Sequence, residues 1–256
     1  MTRLTLAAGA LAACGAIPAQ ATPPDLIRIT DELLAVSAER VFILRSSIDN
    51  LGSHSADIRS LALIGIDRAT GAETVWPAYA VSRQSDDESG AVVRPLDQPG
   101  GAASFTILHE SAALPVTPSG TDTPLVPWED DGAGALRIHA DCAGVRQAGL
   151  ADLEIRTGRQ LADFGRQMDY TRMGALSFAQ MLAETDALTG QCQPGYAVQI
   201  SAGDGGRDPV VMRLQCGEDD GATAVIASVL LLIPPDGAGG PGCEDQAEGA
   251  RPQIAN

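Results

Sequence analysis

Only three histidines occur in the 256 residues, so acid–base chemistry near neutral pH has few places to reside. The most suggestive group is His139-Ala140-Asp141-Cys142. On a strand, side chains two residues apart point to one face, so His139 and Asp141 could share a hydrogen bond or give two ligands to one metal, with Cys142 turned away. No third ligand stands nearby in the sequence. His54 lies in the polar turn Gly52-Ser53-His54-Ser55 and is a second candidate base. His109-Glu110-Ser111 closes the apolar run Phe105 to Leu108, a spacing that does not by itself bring the hydroxyl to the imidazole. Carboxylates cluster at Asp86-Asp87-Glu88, Glu129-Asp130-Asp131-Gly132, Asp204 with Asp208, and Glu218-Asp219-Asp220-Gly221. Acidic residues in glycine-containing turns are what calcium uses, and Asp204 and Asp208 are the first place to look for it. None of the clusters has the twelve-residue EF-hand spacing, and solvated turns explain them without a metal. The chain has no Gly-x-Ser-x-Gly, no histidine pair spaced for zinc and no lysine-bearing phosphate loop. The expectation is a protein without cofactor or metal.

Charge narrows the partners. There are 33 acidic residues against 17 basic ones, all of the latter arginine, for a net charge of −16. Such a field repels nucleic acid and anionic headgroups unless arginines gather on one face, and along the sequence they are scattered. At 4% aromatic content there is too little ring surface for a base-stacking platform.

The first 21 residues have the form of a secretory signal: Arg3, an apolar stretch from Leu4 to Ile17, then Pro18-Ala19-Gln20-Ala21. Cleavage after Ala21 starts the mature chain at Thr22. A second reading uses Leu11-Ala12-Ala13-Cys14, which resembles the lipobox of bacterial lipoproteins; the resemblance implies that Cys14 carries lipid and that the segment from Gly15 to Asp25 is a tether. The apolar stretch is too short for a membrane span, and the run from Ala222 to Ile233 suits a buried strand. Membrane attachment is thus expected only through that lipid, and no transmembrane helix.

Leaving Cys14 aside, Cys142, Cys192, Cys216 and Cys243 form an even set, which in an oxidising compartment implies two disulfides. Four cysteines allow three connectivities, and the sequence alone does not choose. Cys192 with Cys216 is preferred, because that pair brackets one strand, leaving Cys142 with Cys243 to tie down the tail.

Positioning elements follow from periodicity. Arg40 to Arg45 is a strand, Asp49 to Ser55 a turn, and Arg59 to Trp76 a hairpin about Asp67-Arg68-Ala69-Thr70-Gly71. The segment from Ala62 to Trp76 is similar to a blade of quinoprotein-like propellers, but a propeller repeats at least four times and no second copy occurs, so an ordinary hairpin is expected. Pro115, Pro118, Pro124 and Pro127 break up residues 112–134, read as a linker or long loop between residues 22–111 and 135–233. In the second half, Leu136 to Cys142 and Asp152 to Arg156 alternate like strands. Ser177-Phe178-Ala179-Gln180 has the form of a capping box opening a helix, with Leu176, Ala179, Leu182 and Ala183 on one face and Gly190 as its stop. Gly165 and Gly174 limit how far upstream that helix reaches. Tyr196–Ser201, Pro209–Cys216 and Ala222–Ile233 form a meander, and residues 234–256 an acidic disordered tail.

These readings combine into a β-rich α+β fold of antiparallel sheets with one principal helix in the C-terminal half. They imply an exported, periplasmic or secreted protein that binds a protein or small-molecule partner in the envelope without catalysis. The alternatives are a periplasmic hydrolase built on His139 and Asp141, or on His54, and a calcium-stabilised structural protein.

Overall fold

The computed structural model describes residues 25–86, 90–95, 101–116, 125–140, 144–170, 172, 177–183, 192–200, 208–217 and 224–233. In chain order the elements are β1 (Leu26–Val36), β2 (Arg40–Asp49), β3 (Ala56–Asp67), β4 (Glu73–Asp86), β5 (Gly90–Pro95), α1 (Gly101–Glu110), β6 (Leu114–Pro115), β7 (Leu125–Val126), β8 (Trp128–Asp130), β9 (Ala135–Ala140), β10 (Gly144–Gly149), α2 (Leu150–Gln167), α3 (Phe178–Ala183), β11 (Cys192–Gln199), β12 (Val210–Cys216) and β13 (Ala224–Ile233). The protein is β-rich α+β, with α2 its principal helix.

Two meanders make the large sheet. One runs β5-β4-β3-β2-β1, the other β13-β12-β11-β7, and parallel pairing of β1 with β13 joins them (Leu26 opposite Ala224, Thr30 opposite Ser228). All other pairs are antiparallel, and β8, β9 and β10 form a separate small sheet. Local chemistry sets the hairpins. In the β3–β4 turn, Asp67 Oδ1 accepts from the amides of Ala69 and Thr70 and from the Thr70 hydroxyl, while Gly71 takes φ +72°. In the β2–β3 turn, Asp49 and Asn50 accept from the amides of Leu51 and Gly52, both left-handed. The expected hairpin over Arg59 to Trp76 and the closing meander are both present. Gly217 is the tightest turn position: at φ +85° a Cβ would lie 2.1 Å from the Val225 carbonyl oxygen.

Helix α2 lies on one face of this sheet. Val41, Ile43, Arg45, Ser47 and Asp49 alternate inward along β2, and Leu153, Leu161 and Phe164 meet Ile29, Ile43, Ile64 and Leu231 in one buried core. The sheet curls about the helix. Arg156 of α2 donates to the Leu232 carbonyl on β13 at 3.0 Å while resting against Gly71 in the β3–β4 turn, although β1, β2 and β3 separate β13 from β4. A flat sheet would hold those strands about 19 Å apart. Burial of a side chain such as Phe164 contributes about 1.5–3 kcal/mol. On the opposite face, Ile107 and Leu108 of α1 cover Ala35, Phe42, Leu63 and Trp76 at one end only.

Several sequence expectations are corrected. Asp152 to Arg156 is helical, within α2: five residues show alternation, but Leu153, Thr157, Gln160, Leu161 and Phe164 over eighteen show the 3.6 period of a helix with one buried face. Gly165 lies inside α2, where the missing Cβ lets Leu182 and the Ala179 Cα of α3 approach to within 3.1–3.2 Å of where it would stand. The capping box is as expected, Ser177 N–H donating to Gln180 Oε1 at 2.7 Å and Gln180 N–H to Ser177 Oγ at 3.2 Å, but it opens the short α3 and not the principal helix. Phe105 to Leu108 is part of α1. Residues 114–115, 125–126 and 128–130, within the expected proline-rich connection, add short strands to both sheets. Strand β2 continues past Arg45 to Asp49, paired with β1 and β3 along that whole length, and its later inward side chains Ser47 and Asp49 find hydrogen-bond partners in the interior.

Candidate binding site

The β1–β2 and β3–β4 turns, β10 and the end of β13 meet around a cavity of about 250 Å³, lined by Ala38, Arg68, Ala69, Arg146, Asp208, Pro209, Leu232 and Ile233. Arg146 is buried; its Nη1 donates to the Ile233 carbonyl at 2.8 Å and its Nη2 to the Asp208 carbonyl at 2.9 Å. Arg68 Nη1 donates to the carbonyls of Ser37 (3.0 Å) and Ala38 (2.7 Å). Both guanidiniums therefore fasten main chain around the cavity. The cavity falls below the ~300–1,000 Å³ of typical small-molecule sites.

The interior beneath α2 carries two charged sets. Arg45, fully buried on β2, is gripped by Asp31 of β1 through Nε to Oδ1 (2.8 Å) and Nη2 to Oδ2 (2.9 Å), and by Glu73 of β4 through Nη1 to Oε2 (2.9 Å). Asp31 Oδ2 also accepts the Leu230 amide at 3.0 Å, and the Arg45 guanidinium lies 5.6 Å from the centre of the Phe164 ring. Burial opposes the arginine's charge, but Asp31 and Glu73 outweigh it and hold Arg45 more firmly protonated than a free arginine. Glu73 is pushed above the usual carboxylate range by burial, with Arg45 pulling the other way. Arg156 is lowered by its own burial and supported by the charge of Glu73.

The second set lies at the end of β2. Asp49 Oδ2 accepts from Arg172 Nε at 2.7 Å and from the Tyr170 hydroxyl at 3.1 Å, Asp49 Oδ1 from Arg172 Nη2 at 2.8 Å, and Asp25 completes the pairing of Arg172. Burial first, then the charge of Asp49, raises the Tyr170 hydroxyl far above an ordinary phenol, so it acts as a hydrogen-bond donor. Burial opposes the charge of Arg172, but the hydrogen bonds it donates to Asp49 and Asp25 outweigh this and keep it charged. Between the two sets the hydroxyls of Ser47 and Ser60 bond to each other. These arrangements position α2 and the segment after it against the sheet; an arginine with both carboxylate partners in place is a fastening, not a reactive group.

The residues singled out from the sequence do not converge. His139 sits on β9 with an exposed side chain, its Nε2 3.8 Å from Glu129 Oε1, beyond hydrogen-bonding distance. His54 is exposed in the β2–β3 turn, and His109 is exposed on α1. Asp208 lines the cavity, where its main-chain carbonyl accepts from Arg146. Among the described residues no three His, Cys, Asp or Glu side chains gather closely enough to hold a metal. Asp141, Asp204, Cys14, Cys142 and Cys243 lie outside the described residues. Cys192 and Cys216 are bonded, facing each other in register across β11 and β12 with Cα atoms 4.0 Å apart. The sequence reading missed Arg45, Arg146 and Arg172. The inward phase of Val41, Ile43, Arg45, Ser47 and Asp49 was the available signal for the first; nothing local marks the other two.

No family model, curated protein or solved structure matches this chain.

Proposed function

We propose that the chain is an exported binding protein of the periplasm or envelope, non-catalytic, whose partner is a protein in preference to a small molecule. The observation carrying this reading is how the polar side chains of the interior are spent: Arg45 is closed by Asp31 and Glu73, Arg172 by Asp49 and Asp25, and Arg146 by main-chain carbonyls, each serving the scaffold. The cavity is small for a metabolite. The Cys192–Cys216 bridge supports maturation where thiols are oxidised, in keeping with the signal-like first 21 residues; a lipid on Cys14 would keep the same chain at the membrane surface. No helix among the described residues is long and apolar enough to cross a membrane.

The test is direct. The oxidised chain is incubated with ester, phosphoester, glycoside and peptide substrates, alongside His139→Ala and His54→Ala. The reading expects no turnover above buffer; turnover lost in either variant establishes the hydrolase instead. Thermal unfolding with and without chelator addresses the calcium alternative, and a melting temperature lowered by chelator would replace the binding role with a structural one.

A further inference from the structure

Among the described residues, the face opposite α2 is exposed on β1–β4 away from α1, and pairing register orders its side chains there. One row crosses the strands as Arg28 (β1), Ile48 (β2), Arg59 (β3) and Val81 (β4), alternating basic with apolar; the next is Thr30, Ser46, Leu61 and Tyr79. Arg28, Ile48, Arg59 and Tyr79 are exposed, as is Arg83 beyond them. Asp57 is shared between Arg59 and Arg83, its Oδ1 accepting from Arg59 Nε at 3.2 Å and its Oδ2 from Arg83 Nε at 2.9 Å, which leaves that trio with one excess positive charge. Arg28 forms no ion pair with a described carboxylate and adds a second. Glu32, exposed on the same face of β1, offsets one of these charges, and Arg213 of β12, which donates to the Ser228 hydroxyl opposite Thr30, adds one back, so the face is positive on a chain of net charge −16.

We propose that this face docks an acidic, partly apolar segment of a partner polypeptide. Arg28 and Arg59 are two strands apart, about 10 Å, and carboxylates three residues apart on a peptide in the polyproline II helix, which has three residues per turn, share one face and are separated by about 9 Å. Ile48 stands between the two arginines and Tyr79 beside them, giving apolar side chains of the same segment a surface to cover. An anionic bilayer is a poorer occupant: electrostatic membrane binding uses clusters of about 4–8 basic residues, whereas here two positive charges are in excess and the rest of the chain repels the surface. The inference rests on the binding-protein reading and deepens it by naming the partner's chemistry.

The experiment uses the mature, oxidised full chain and a fluorescein-labelled twelve-residue peptide repeating Asp-Pro-Leu, read by anisotropy, with an Arg-Pro-Leu peptide and phosphatidylglycerol vesicles as comparisons. Saturable binding of the acidic peptide is expected, weakened at least about fivefold between 50 and 500 mM salt. Arg28→Ser with Arg59→Ser should weaken it at least about tenfold, with Arg83 left to pair Asp57 and circular dichroism checking the fold. Ile48→Ser should weaken it as well, and the exposed Arg166→Ser on α2 should not. Absence of saturable binding, equal loss in Arg166→Ser, or no loss in the Arg28/Arg59 variant overturns the proposal, as do vesicles that bind without competition from the peptide. Substrate turnover dependent on His139 or His54 would instead overturn the binding-protein reading, so the two failures are distinguishable.

Discussion

Replacing Arg45 by alanine would test whether the buried charges hold the scaffold as described. Arg45 is fully buried and makes four hydrogen bonds, two each to Asp31 and Glu73. Its removal leaves Asp31, also fully buried, with the Leu230 amide as its described donor, and leaves Glu73 beside it with less positive charge. Breaking a buried pair from one side costs about 3–5 kcal/mol, because the remaining charge is uncompensated. At this chain length each kcal/mol lowers the melting temperature by about 2–4 °C, so Arg45→Ala should melt roughly 6–20 °C below wild type at pH 7.5. The loss should shrink as the pH falls toward 5, where the stranded carboxyls take up protons. The neutral triple variant Asp31→Asn, Arg45→Met, Glu73→Gln should recover most of it, since removing all three charges leaves no charge buried unpaired. Urea unfolding followed by tryptophan fluorescence provides the free energies. A loss in Arg45→Ala below about 1 kcal/mol, or one unchanged between pH 5 and 8, would refute the reasoning.

Other perturbations probe separate joints. Changing Cys192 and Cys216 together to alanine should cost about 3 kcal/mol in urea unfolding under oxidising conditions, the chain-entropy value for a 24-residue loop; an unchanged midpoint would show the bridge to be energetically idle. Burial raises the folded-state pKa of Glu73 above its unfolded value, so its contribution is fully present below the ordinary carboxylate range and is lost as pH rises through the raised pKa. Glu73→Gln should therefore flatten the decline of stability with rising pH, measured as melting temperature against pH; an unaltered slope counts against a strained carboxyl. Gly165→Ala puts a methyl group about 3.1 Å from Leu182 and should destabilise by about 1–3 kcal/mol, although alanine favours an isolated helix; a more stable variant would mean that α2 and α3 do not pack this closely.

Much of the strand framework was legible because it is written locally. Asp67-Arg68-Ala69-Thr70-Gly71 holds its turn with its own side chains, and Ser177 with Gln180 is a reciprocal cap within four residues. The principal helix was misplaced because its core face mixes Leu153, Leu161 and Phe164 with Glu154, Thr157 and Gln160, so a short window sees alternation and no apolar stripe. Parallel pairing of β1 with β13 was not legible at all: it joins strands about 200 residues apart, and neither carries a turn or cap that marks the other. The same separation hid the arginine sets. Arg172, in the segment after α2, meets Asp49 at the end of β2 across 123 residues of sequence. The proposed docking face follows from register, which gathers arginines scattered along the chain onto one face of β1, β3 and β4.

The proposed export into an oxidising compartment underlies both the expected disulfides and the proposed envelope role, and the intact mass of the protein recovered from its native envelope fraction tests it most directly. The account predicts a chain beginning at Thr22, or at a lipid-modified Cys14, that gains four mass units on reduction as two disulfides open. A full-length chain in the cytosol with all five thiols free would contradict it.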